Sequence, residues 1–90
     1  MNEITYFYND ILNRNPKIVE HYTNNPRDVI KLLNLDINIL KGLAHEFYKA
    51  LINEELTPYN KTQITRTLVA TILAIRKLEK EENKQVNKTI

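Results

Sequence analysis

The sequence predicts an all-α fold, a compact bundle of four to five helices whose two long C-terminal helices pack antiparallel. Three observations lead there. Ninety residues include one glycine and three prolines, too few chain breakers for a sheet protein rich in turns. Apolar residues recur at three- and four-residue intervals along most of the chain, which is the period of a helix face. Asparagine, aspartate or threonine stands just ahead of each periodic stretch, where a helix needs a cap for its free amides. One domain is expected, at about 1–84, followed by a frayed, charged tail at about 85–90.

The first stripe is Ile4, Phe7, Tyr8, Ile11 and Leu12. It predicts a helix at about 3–13, with Asn2 as its cap. A near-repeat follows, with Asn15-Pro16-Lys17 leading into Ile18 and Val19, and Asn25-Pro26-Arg27 leading into Val29 and Ile30. Proline suits the first helical position, because its missing N–H has no helical partner there. With asparagine as the cap, two short helices are predicted at about 16–23 and 26–34. Asp28 adds a carboxylate to the first turn of the second, where it favours the helix dipole.

Asp36 caps a longer helix, at about 37–55. Within it Ile37, Leu40, Ala44, Phe47 and Leu51 form a heptad seam. Gly42 costs this helix about 1 kcal/mol relative to alanine, and it either admits a close backbone neighbour or is simply tolerated. Thr57-Pro58 opens the last helix, at about 58–84, and the short connection before it makes the two long helices antiparallel neighbours. The expected core is Ile4, Phe7, Ile11, Val19, Val29, Leu33, Ile37, Leu40, Phe47, Leu51, Ile64, Leu68, Ile72 and Ile75. The five tyrosines are scattered, and their place is expected to be around the core.

Composition removes several chemistries. There is no cysteine, tryptophan or serine, so disulfides, thiolate metal sites and serine or cysteine nucleophiles are absent. His45-Glu46 begins like a zinc-protease helix, but the second histidine would fall at Lys49. Glu54 and Glu55 are adjacent, and neighbours on a helix do not face each other. A single glycine excludes a glycine-rich phosphate loop. No catalytic residue, metal or cofactor is therefore assigned, and the chain is read as non-enzymatic. The start of the last helix, with Thr57 and Lys61, is the candidate anion-binding position, against a plain cap.

No secretory pattern and no apolar run of about 18 residues is present, so a cytoplasmic protein without a membrane span is expected. Two glycosylation-type triplets, Asn60-Lys61-Thr62 and Asn87-Lys88-Thr89, are read as chance matches without an export signal.

The last helix carries the functional information. Ile64, Leu68, Thr71, Ile75 and Leu78 share one face, while Val69 and Leu73 point away from it. A helix apolar around so much of its circumference is either central in the bundle or half-covered by a partner. Charge sharpens the choice. Residues 56–78 contain Lys61, Arg66, Arg76 and Lys77 and no acid, whereas residues 1–55 hold six basic and eight acidic residues. Arg66, Val69, Leu73 and Lys77 thus form a candidate partner-binding stripe, apolar anchors rimmed by cations. Such a stripe suits an acidic-rimmed apolar groove on another protein or, in a homodimer, a second copy.

That reading makes the chain a protein-binding module, an accessory or regulatory subunit of a larger, nucleic-acid-processing or other complex. A weak backbone-directed nucleic-acid binder is the first alternative, since the isoelectric point is near 8.9. Against it, the second short helix is mostly apolar and unlike a base-reading helix. In size, basic character and charged end the chain also resembles small bacteriocin immunity proteins. Leu56-Thr57-Pro58-Tyr59 is similar to their closing helices, and to helix starts in small accessory subunits of replication complexes. The resemblance implies a toxin-immunity function as a second alternative. It rests on capping chemistry and transfers no functional residue.

Overall fold

The computed structural model describes the backbone of residues 6–89 and the side chains of residues 6–81. Asn2 and Ile4 lie outside the described residues. Five helices follow in order: α1 Tyr8–Arg14, α2 Pro16–Asn24, α3 Arg27–Leu32, α4 Ile37–Asn53 and α5 Pro58–Thr89, with no strand among the described residues. The all-α bundle is as expected, and α4 and α5 form its most extensive interface. Helix α5 also contacts α1, α2 and α3. It is therefore the central element, about 48 Å long at 1.5 Å per residue over its 32 residues.

Local chemistry explains where the helices begin. Asp36 has an extended backbone (φ −62°, ψ 140°), and its carboxylate accepts the Asn38 N–H at 2.8 Å. Thr57 caps α5, with Oγ1 accepting the Asn60 N–H at 3.2 Å. The two asparagines differ from expectation. Asn15 and Asn25 have ψ of 54° and 75° and make no side-chain cap to the helix that follows. Each amide turns back instead. Asn15 Nδ2 donates to the Ile11 carbonyl at 2.8 Å, and Asn25 Nδ2 donates to the His21 carbonyl at 3.1 Å. A residue before proline is kept out of the helical region. At these intermediate ψ values its side chain closes the preceding helix by donating to a last-turn carbonyl, and the His21 carbonyl also accepts the Asn25 backbone N–H at 2.9 Å. The two corners share this side-chain bond but differ at the proline: Pro16 opens α2 as expected, whereas Pro26 stands ahead of α3 as its N-cap.

Boundaries also shift, and α1 begins at Tyr8, with Tyr6 and Phe7 in a turn where a helix was expected. Helix α3 ends at Leu32, where tightening of the last turn lets the Leu33 N–H reach the Ile30 carbonyl at 3.1 Å. Helix α5 continues to Thr89 rather than ending near 84. Residues 79–89 contain neither glycine nor proline, so no residue there breaks a helix even though none builds an apolar face.

The core is Phe7, Tyr8, Ile11, Tyr22, Val29, Leu40, Ala44, Leu68, Val69, Ala70, Ile72, Ala74 and Ile75, together with Thr71. Seven of the expected core residues are here. Val19, Leu33, Ile37, Phe47, Leu51 and Ile64 are half-buried. Tyr8 and Tyr22 are interior rather than peripheral, with Tyr8 2% exposed. Phe7 stacks on Tyr48 of α4 with ring centroids 4.2 Å apart and stands edge-on to Tyr8. These aromatic contacts tie the N-terminal end to α4, an arrangement the stripe pattern did not contain. Thr71 is interior at no hydrogen-bonding cost, because its hydroxyl donates to the Thr67 carbonyl at 2.8 Å. Gly42 is exposed, and nothing lies within 4 Å of where a Cβ would stand. No close approach of another backbone explains it.

Candidate functional site

Four residues of one α5 face made up the expected partner-binding stripe, and the bundle divides them. Val69 has no exposed surface, so it is not a surface anchor. The reason is the central place of α5, whose face toward α2 and α3 is packed rather than open. From Leu68 to Ile75 every residue but Leu73 is buried. A helix greasy on all sides is here an interior helix, not a half-covered one.

Leu73, half-buried, becomes part of the floor of a cleft of about 290 Å³ between the α2–α3 corner and α5. Tyr22, Pro26 and Val29 complete the apolar floor, and Arg76, Lys77 and Lys80 provide the basic side. Three of the four stripe residues remain accessible, but they serve two places. Lys77 belongs to this cleft, while Arg66 lines a second, smaller one with Lys17, Ile18 and His21. Tyr22 sits near both groups of charges. Burial and then the Asp28 carboxylate push its phenol up, and the Arg66 guanidinium opposes them.

The larger cleft combines features that sequence periodicity did not assemble. Tyr22 and Val29 are seven residues apart across a proline corner, so no single-helix wheel places them together. Arg76 was visible only as one of four basic residues. The residue is half-buried, and Nη2 donates to Asn9 Oδ1 of α1. Its Nε is shielded from solvent and has no acceptor. Tyr8 lies within its electrostatic reach, and among the described residues the Tyr8 hydroxyl is also buried without a partner. Burial above all, with the Glu79 carboxylate next and Arg76 opposing, pushes the Tyr8 phenol up to about 12. Glu79 itself lies 4.0 Å from Lys41 Nζ on α4. Among the described residues Arg66, Arg76, Lys77 and Lys80 form no ion pair.

At the start of α5 the first-turn amides are largely committed. Pro58 has none, Asn60 N–H goes to Thr57 Oγ1, and Lys61 N–H goes to the Thr57 carbonyl at 2.9 Å. Thr57 therefore acts as a cap, with Lys61 exposed one turn on. His21 and His45 lie on different helices, and no group of three potential metal ligands occurs among the described residues. No helix among them is long and apolar enough to cross a membrane.

Fold and cleft together define a small all-α domain, built round one interior helix, with an apolar-floored and cation-rimmed surface depression. Comparison with known proteins returns no matching family model, no matching curated protein and no matching solved structure.

Proposed function

We propose that this chain is a non-enzymatic protein-binding module, an accessory or regulatory subunit that receives a segment of a partner protein in the cleft between α5 and the α2–α3 corner. The observation that carries the reading is the chemistry of that cleft. Tyr22, Val29 and Leu73 offer an apolar floor, and Arg76, Lys77 and Lys80 line the same space with no acid among the lining residues. An apolar contact gives affinity, and a one-signed rim selects an oppositely charged partner. With Val69 buried, this chain offers a recess rather than a ridge. The fitting partner carries an acidic, apolar segment instead of an acidic-rimmed groove.

Site-specific photo-crosslinking in the native host tests this. A crosslinking amino acid at Thr23, on the cleft edge, is compared with one at Ile52, which is 60% exposed near the end of α4. The expected result is a discrete protein adduct from position 23 alone, lost when Lys77→Glu and Lys80→Glu reverse the rim. The same adducts from both positions, or an adduct indifferent to charge reversal, would overturn the proposal. Weak nucleic-acid binding is separated by salt, since phosphate contacts give a steep, linear fall of log affinity with log salt.

A further inference from the structure

We infer that Arg76 is the carboxylate receptor of this cleft, and that the partner segment presents an acidic side chain next to the apolar side chain that covers Leu73, Val29 and Tyr22. The inference rests on the docking reading above and adds the chemistry that the docked segment must carry.

Arg76 differs from the lysines beside it. Lys77 and Lys80 are exposed, so water already solvates them, and a carboxylate gains little by replacing that water. Arg76 is half-buried as a residue, with its Nε covered, and its guanidinium is always charged and carries five donors in a fixed fork. Among the described residues its one side-chain partner is Asn9 Oδ1, a neutral acceptor. Its Nε–H is shielded and without an acceptor. Glu79, the acid that together with Arg76 influences Tyr8, lies 4.0 Å from Lys41 Nζ and forms no ion pair with Arg76 among the described residues. A cation withdrawn from water and left with a neutral partner is incompletely compensated. An arriving carboxylate supplies the missing charge through strong, charge-assisted hydrogen bonds to the Nη groups, since Nε is covered by the protein.

The apolar floor selects among anions. A cleft of about 290 Å³ sits at the small end of ligand pockets, which start near 300 Å³. It accommodates one large side chain, not an extended ligand. Nucleic-acid phosphates match the arginine fork but bring no aliphatic group to lie on Leu73 and Val29. An acidic residue flanked by leucine or phenylalanine brings both.

The probes are acetyl-Leu-Glu-Leu-amide and its neutral twin, acetyl-Leu-Gln-Leu-amide, titrated into the whole chain. The readouts are the Arg76 Nε–H and Leu73 methyl resonances. The glutamate peptide is expected to shift both and to bind about tenfold more tightly than the glutamine peptide, the size of a charge-assisted contact. Arg76→Lys keeps the charge but loses the fork, and it is expected to erase most of that preference while Lys77→Gln preserves it. Equal affinity of the two peptides for the wild-type chain overturns the inference, as does a preference that survives Arg76→Lys. A larger Arg76 shift with oligothymidylate than with the glutamate peptide also overturns it. The wild-type comparison decides even where an Arg76 variant folds poorly. Failure here with a charge-dependent Thr23 adduct intact leaves the docking reading standing. A clear glutamate preference with no such adduct does the reverse.

Discussion

Leu68–Ile75 and Arg76–Lys80 are consecutive stretches of one helix, and residues 69, 73, 77 and 80 lie along one side of it. The first stretch is interior, and in the second Lys77 and Lys80 are exposed. The helical backbone runs unbroken through residue 75, while the side chains pass from apolar to charged. What lies opposite changes as well. Neighbouring helices cover Val69 completely, whereas Leu73 is only half-covered beside the α2–α3 corner. Residues on one helix face thus become core or binding surface according to where a neighbouring corner ends.

The largest expected effect separates 69 from 73. Val69→Asp buries a carboxylate with no partner, at a cost on the order of 4 kcal/mol or more. That is much of the stability of a domain this size, about 5–13 kcal/mol. Leu73→Asp places its charge at the cleft mouth beside Lys77 and is expected to cost roughly 1 kcal/mol or less while abolishing the Thr23 adduct. Circular dichroism melts of both variants check this. Similar melting of the two would erase the distinction between interior and cleft.

Alkaline pH probes the junction between the stretches, where Tyr8 lies close to Arg76 and Glu79. The Tyr8 phenol is raised in the folded chain, from 10 to about 12, so the unfolded chain loses that proton first. Stability is therefore full below pH 10 and falls as pH rises toward 12, by up to about 2–3 kcal/mol at 1.36 kcal/mol per unit. Denaturant melts at pH 9 and pH 12 should show this loss in the wild-type chain and much less of it in Tyr8→Phe. At neutral pH Tyr8→Phe should change stability little, because the hydroxyl it removes is buried without a partner. A large destabilisation at neutral pH would mean that the hydroxyl has a strong partner.

The smallest effect is a control far from either stretch. Gly42→Ala meets nothing within 4 Å and should stabilise α4 by about 0.5–1 kcal/mol, leaving the glutamate–glutamine preference unchanged. A loss of stability would place an unseen neighbour against that surface.

How much was legible follows from the range of each interaction. The Asp36 and Thr57 caps, the heptad seam through Leu40 and Ala44, and the pairing of α4 with α5 are local or nearly so, and the order of residues is enough to place them. Asn15 and Asn25 were misassigned because a cap depends on ψ as well as residue type, and the following proline changes the available ψ. Tyr8 and Tyr22 went unassigned to the core because a tyrosine's place depends on what its ring packs against. For Tyr8 that is Phe7, itself stacked on Tyr48. The cleft was legible only as fragments, Leu73 and Lys77, since Tyr22, Val29 and Arg76 reach it from three different helices.

By itself, then, the order of amino acids settled the helical class, the caps at Asp36 and Thr57, and the unusual apolar girth of α5. Each of those follows from backbone chemistry and spacing within a few turns. The tertiary structure alone decided that this girth is interior at Val69 and open at Leu73, and that Arg76 stands half-buried with a neutral partner. Burial and charge compensation are properties of what packs opposite a residue, and residues distant in the chain supply it.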